Sequence, residues 1–236
     1  MKKLALSILA LAVAAPALAT AGDTTVSYNA AVASDYLWRG TSQTDSKAAI
    51  SAGADLTAGT LYAGTWLSNV DFGSANIEAD LYAGWKPSVG PLTFDLGVAT
   101  ANYPNATGAN FVEYKTGVSA VVAKDVALSL TNYYNTDTYN YTEVGVSAPL
   151  FGAKVGPFAL TGAATYGKTI GIKNATDDFA NWKAAVTGTT ENGIALEVGY
   201  TDTDIKKAEA ATSYWALNGK YDDVKGRAYI ALKKSY

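Results

Sequence analysis

Asp35, Asp55, Glu78, Asp80, Asp95, Glu113, Glu143 and Glu197 each stand out of phase with the apolar residues around them, and Arg39, Lys86, Lys115 and Lys183 stand in that same phase. Charges gathered on one side of a chain can do one of three things. Around a narrow passage they focus the field and bias which ion enters. Facing one another across strands they pair and fill the space between. Two nearby carboxylates such as Glu78 and Asp80 can also share acid and base roles, but only where their environments push their pKa values apart. Nothing in the sequence signals such a split, and the first two readings stay open.

Other chemistries are narrower. The chain has neither histidine nor cysteine, which removes Ser-His-Asp triads, Cys-His pairs and His- or Cys-ligated zinc. G-A-A-T-Y-G-K-T, Gly162 to Thr169, fits the phosphate-loop pattern by letter. That chemistry requires a helix immediately afterwards, and I-G-I-K-N-A-T-D-D has no helical period, so the match is read as chance. Asp202 and Asp204 in T-D-T-D are oxygen donors of the kind calcium takes, but without the EF-hand pattern they read as a solvated loop. No cofactor and no enzyme activity is expected.

The elements that would position the inner charges are strands. In N-I-E-A-D-L-Y-A-G-W-K, Ile77, Ala79, Leu81, Ala83 and Trp85 share one face, and Glu78, Asp80, Tyr82, Gly84 and Lys86 the other. The alternation returns in L-T-F-D-L-G-V-A-T and G-I-A-L-E-V-G-Y-T, and in runs near 25–38, 47–57, 60–70, 111–122, 126–135, 139–149, 157–168, 179–190 and 226–236. Short turns (T-A-G-T, A-K-D, T-E-N-G) alternate with longer polar links such as SNVDFGSAN, NYPNATGAN, IKNATDD and DIKKAEAAT. Runs of ~10 residues suit strands that cross a bilayer at a tilt. The pattern predicts an all-β fold, a single antiparallel up-and-down transmembrane barrel of about twelve strands with short periplasmic turns and longer extracellular loops. T-S-Y-W-A-L-N-G-K-Y, 212–221, reads as a small hairpin inside the last outer loop, and counting it as wall gives an alternative of fourteen strands. A soluble β-sandwich or lipocalin-like barrel would turn bulky apolar residues inward; here the polar faces carry Gly, Ala, Ser, Thr and isolated charges, which suits a narrow wet lumen.

The leader agrees. Lys2 and Lys3, an apolar run over Leu4 to Ala15, then Pro16 and A-L-A-T-A follow the order of a secretory signal peptide, cut after Ala19 or Ala21, leaving residues 20–236 as the barrel. Removing two of 18 basic residues leaves 16 against 21 acidic ones, so a net charge of −3 becomes −5. No basic face is visible for a nucleic acid.

Tyr36 and Trp38 alternate with Val26, Tyr28, Ala30 and Val32, and are expected with Trp85 and Tyr200 in the aromatic girdles where strands leave the hydrocarbon. Tyr82, Tyr133 and Tyr134 are further girdle candidates. Arg39 either anchors at headgroup phosphates or turns into the lumen.

S-D-Y-L-W-R-G-T-S-Q (34–43), L-Y-A-G-T-W-L-S-N-V-D-F-G (61–73), E-A-D-L-Y-A-G-W (78–85) and G-Y-T-D-T-D (199–204) resemble the TorF porin family, bacterial outer-membrane proteins of unknown function. The resemblance covers essentially the mature chain. It implies a barrel of about twelve strands with a channel role and supplies no catalytic or ligand residues. Two departures stand out: the 206–224 region is inserted before the last strand, and the chain ends in Tyr236 where the family has Phe, with Lys234 on the face where an apolar residue is expected. The sequence is therefore read as an outer-membrane porin passing small polar solutes or ions with mild cation preference. Its partners would be membrane lipid, lipopolysaccharide and, through Tyr236, the barrel-assembly machinery. The rival reading is a sealed structural or surface-interaction barrel.

Overall fold

The structure, a computed structural model, describes residues 24–172 and 177–236. The expected leader lies outside the described residues. Twelve antiparallel strands form the wall: β1 Thr24–Ala33, β2 Ala49–Ala58, β3 Leu61–Phe72, β4 Ala75–Trp85, β5 Leu92–Asn102, β6 Phe111–Ala123, β7 Val126–Tyr134, β8 Tyr139–Val155, β9 Phe158–Gly171, β10 Phe179–Thr189, β11 Ile194–Thr203 and β12 Arg227–Ser235. Each strand pairs with its neighbours in sequence. β12 returns to β1, from Asn29 opposite Ser235 to Ala33 opposite Ala231, so the sheet closes without an edge.

Alternation builds this wall. Val26, Tyr28, Val32, Ile50, Leu81 and Leu232 are exposed on the outside, while the residues between them face inward. The turns at one end are tight. Lys124 and Asp125, between β6 and β7, both have positive φ (42° and 66°), the geometry whose twist matches a two-residue hairpin. At the other end the connections are longer, above all residues 34–48 (the first outer loop) and 204–226 (the last).

Three sequence expectations are corrected here. The run near 25–38 stops as strand at Ala33. Beyond it Leu37–Trp38 pairs with Thr41–Ser42, turned through Arg39 and Gly40 at φ 49° and 82°. SNVDFGSAN is mostly strand, because β3 runs to Phe72 and β4 begins at Ala75. Residues 212–221 hold no hairpin: the Gly219 N–H does donate to Ala216 (2.7 Å) as Asn-Gly suggested, but no strand flanks that turn, and a single helical turn, Tyr221–Asp223, follows it. The fourteen-strand alternative therefore falls away. The phosphate-loop letters, 162–169, lie inside β9, which runs on as strand to Gly171.

Tyrosines lie flat over glycines on the inner wall: Tyr82 over Gly64, Tyr62 over Gly84 and Gly97, Tyr141 over Gly167, and Tyr229 over Gly199. A bare backbone makes room for each ring, and the ring covers the strand that the missing side chain leaves open. At Gly84 an added Cβ would press into the Tyr62 ring and lie 2.6 Å from the Leu96 carbonyl oxygen, which is backbone and cannot step aside. Gly84→Ala is expected to destabilise the barrel by about 1–3 kcal/mol. The check is the temperature at which the folded, fast-migrating form is lost on unheated detergent gels; an unchanged temperature would refute the packing argument.

Candidate channel interior

All eight carboxylates lie on the inner side, six of them, with Asp35, Glu78, Asp80, Glu113, Glu143 and Glu197, buried. Tyrosine hydroxyls serve most of them. Tyr62 donates to Asp95 (2.7 Å), Tyr82 to Asp55, Tyr139 to Glu113 (2.7 Å), Tyr141 to Glu143 (2.8 Å), and Tyr36 and Tyr103 to the two oxygens of Glu78 (3.3 and 3.0 Å). Tyr229 donates to Glu197 (2.5 Å). Cations take part unevenly. Lys115 pairs with Asp95, Arg39 with Glu113 at 2.6 Å, Arg227 with Asp35 at 2.6 Å, and Lys183 with Glu197 at 3.5 Å. Among the described residues Lys86 and Lys233, both half-buried, have no carboxylate within salt-bridge distance. Pairing thus accounts for part of the inner charge and leaves the rest facing the lumen.

The first outer loop turns into the barrel. Tyr36 and Trp38 are buried (8% and 3% exposed), which corrects their placement in a girdle: once the strand ends at Ala33, alternation no longer says which way a side chain points. Tyr36 meets the Trp66 ring at 5.2 Å. Trp38 meets Tyr139 at 6.1 Å and Trp215 at 5.7 Å. The polar residues after it are equally buried, because they satisfy one another. Asp35 accepts from the Ser42 and Thr44 hydroxyls (2.7 and 2.8 Å), and Thr41 donates to the Trp38 carbonyl (2.8 Å). Gly40 is needed at the tip: besides its φ, a Cβ there would lie 2.7 Å from Thr203 and 3.2 Å from the backbone of Asp202.

Arg39 is the centre of this arrangement. The structure puts it in the interior rather than at headgroups, its guanidinium reaching from the β1 side to Glu113 on β6. Four rings surround it, with centroids 4.0 Å (Tyr141), 4.4 Å (Trp38), 4.9 Å (Tyr139) and 5.3 Å (Tyr133) away. Tyr133 is therefore inside the barrel, as is Tyr82, whose hydroxyl donates to Asp55. Trp85 and Tyr200 are exposed on the outer wall, at 48% and 41%, with Trp182 beside Tyr200 at 5.5 Å.

The last outer loop lies over the first. Trp215 is 1% exposed, packed on Phe179 (5.0 Å), Tyr139 (5.2 Å) and Trp38, and its indole N–H donates to the Asp177 carbonyl (2.8 Å). An exposed clasp joins the two loops. Asp45 accepts from Lys220 (2.7 Å) and faces Lys47 (3.2 Å), and Lys47 also reaches Asp71 (2.6 Å). The hydrogen bond from Lys220, then that from Lys47, holds the Asp45 carboxyl below the usual carboxylate range. Asp202 and Asp204 spend one oxygen each on backbone N–H groups, of Thr203 and Ala180.

A cavity of about 120 Å³ remains between the first loop and the wall of β1 to β3 and β8 to β12. Its charged lining is Asp35, Glu143, Glu197, Arg39, Lys183 and Lys233; Glu78 and Asp80 lie elsewhere, Glu78 beneath Tyr36 and Tyr103. Sequence reasoning missed Arg227, Lys233, Asn181 and the lining aromatics Trp66 and Tyr229. The signal for Lys233 was present, since it shares parity with Tyr229 and Ala231 on β12. Lys234 lies over the Tyr236 ring at 4.4 Å, which accounts for a lysine beside the terminal aromatic.

A family model described as a bacterial protein of unknown function, Gcw_chp, matches residues 17–236. The chain belongs to that family. A search of curated proteins finds no match. Among solved structures, this Gcw_chp chain is similar in fold to the KdgM porin (TM-score 0.59, 6% identity, 91% of this chain and 99% of that one). A KdgM porin in complex with disordered oligogalacturonate gives 0.57 at 7% identity over 91% and 99%. The NanC porin gives 0.56 at 10% identity over 89% and 98%. At these identities the likeness is one of fold, that of outer-membrane porins.

Proposed function

We propose that the chain is an outer-membrane porin of narrow bore, of the kind the TorF resemblance implies, passing small polar solutes or ions down their gradient. The observation that carries this is the inverted wall: hydrocarbon outside and carboxylates, hydroxyls and amines inside, around a cavity that loop residues do not fill. Trp85 and Tyr200 would then sit at the membrane interfaces. The outer wall would face lipid and the outer loops lipopolysaccharide. Tyr236, exposed and tied by backbone hydrogen bonds to Tyr28 (2.9 and 3.2 Å), would be the end the assembly machinery reads.

A mild cation preference follows from composition. The inner carboxylates outnumber the inner cations Arg39, Lys86, Lys115, Lys183, Arg227 and Lys233, and a field of that sign favours cations. Oligogalacturonate, a chain of carboxylates, is named with the KdgM porin; the acidic excess here argues against carrying that ligand over. Among the described residues no group of three or more acidic side chains is placed to hold a metal ion, and we read the barrel as a channel rather than an enzyme.

Purified protein in planar bilayers should give discrete conductance steps. Neutralising Glu143 and Glu197, the cavity's own carboxylates on β8 and β11, should shrink the steps and lower cation selectivity, whereas Glu78→Gln should change them little. A second reading is favoured by the aromatic plug of the two outer loops: a sealed barrel whose loops bind a surface partner. Bilayers that stay silent with folded protein would favour it.

A further inference from the structure

The cavity wall carries charges of alternating sign. Glu143 on β8 stands, through Gly167, level with Asn181 on β10. Lys183 follows two residues along β10 and pairs in register with Thr201. Glu197 on β11 lies opposite Thr187 on one side and Ala231 on the other, and Lys233 follows two residues along β12. From the loop end to the turn end the order is therefore acid, base, acid, base. The only direct pair in this series, Lys183 with Glu197, is 3.5 Å long, at the outer limit of a hydrogen bond.

Two polar atoms without a protein partner lie beside the ladder. The Trp66 indole N–H and the Asn181 side-chain carbonyl belong to buried residues (each 4% exposed) that line the cavity, and neither atom has a protein partner. One is a donor and the other an acceptor. Both atoms are themselves sealed from water, so recognition falls to the charged side chains.

We propose that this cavity is a binding site for small zwitterions of the α-amino-acid class. The proposal rests on the porin reading for its biological use, but not for its chemistry. A simple anion entering the cavity meets Glu143 and Glu197, and a simple cation meets Lys183 and Lys233. Each gains one attraction and one repulsion. A dipolar ion with its charges a few ångströms apart sets its carboxylate against lysine and its ammonium against glutamate. The lining, with Asp35, Glu143 and Glu197 against Arg39, Lys183 and Lys233, is balanced in sign and suits a solute with no net charge. The size agrees: at about 10–15 Å³ of such volume per water, 120 Å³ holds on the order of ten heavy atoms, more than alanine needs.

The test is titration calorimetry on the folded barrel in detergent at neutral pH, with alanine, propionate, propylamine and propionamide as probes. Alanine should bind at least tenfold more tightly than the other three. Glu143→Gln and Lys233→Met should each weaken alanine about tenfold and narrow its advantage over propionamide. Propionate or propylamine binding as tightly as alanine, or no measurable alanine binding, overturns the proposal. The probe series on the unaltered protein decides even where a variant fails to fold. Alanine binding by a barrel that conducts nothing would sink the porin reading and keep the site; conductance without alanine binding would do the reverse.

Discussion

Arg39→Met is expected to open the outer end of the barrel, raising the conductance step several-fold and exposing residues 34–48 to protease. The substitution removes the guanidinium that lies 2.6 Å from Glu113 and leaves that carboxylate, 0% exposed, without its counter-charge. Breaking a buried pair from one side costs about 3–5 kcal/mol. The rings of Trp38, Tyr139 and Tyr141 lose the cation they surround, which adds about a kcal/mol or more. The wall need not fail. Its strands are held by the closed ladder, whereas the first loop is held by what it inserts, so the loss falls on the loop. Lysine should not rescue it, because a point charge neither stacks on four ring faces nor keeps the planar fork. Adding Glu113→Leu should recover much of the stability without restoring the seal, since the carboxylate cost is gone but the bridge across the lumen is not. An unchanged step size and protease pattern in Arg39→Met would mean that the first loop is held by something other than this residue.

The wall was legible in the sequence because its two faces meet opposite solvents. Ile77, Leu81 and Trp85 against Glu78 and Asp80 can be read from parity alone, and tight turns such as Lys124-Asp125 mark one end of the barrel. Parity fails where the strand stops. The T-S-Q-T stretch at 41–44 has the composition of a solvated loop, yet it is buried because Asp35, Ser42 and Thr44 satisfy one another, a contact between residues that no periodicity encodes. Tyrosine was misread for a related reason. Its ring suits the membrane interface and its hydroxyl suits an inner carboxylate. What separates Tyr82, inside, from Tyr200, outside, is phase: Tyr82 stands in step with Glu78 and Asp80, whereas Tyr200 stands in step with Val198. The alternating ladder from Glu143 to Lys233 needed the register of neighbouring strands, which the sequence does not print.

Trp215→Ala should release the last outer loop, and its effect tests whether the two loops form one plug. Trp215 fills the space between Phe179 on β10, Tyr139 on β8 and Trp38 of the first loop. Truncating a buried tryptophan costs about 3–5 kcal/mol, and the indole hydrogen bond to Asp177 goes with it. Amide exchange in 204–226 should rise by orders of magnitude while the strand amides stay protected, and conductance should increase as in Arg39→Met. The two variants remove groups that both touch Trp38, in ring contact with Trp215 and with Arg39 4.4 Å from its centroid. Combined, they should therefore cost less than the sum of the singles by at least about 0.5 kcal/mol. Strict additivity in protease protection and conductance would mean that each loop closes on the wall by itself, with Trp38 as filler rather than as the link between them.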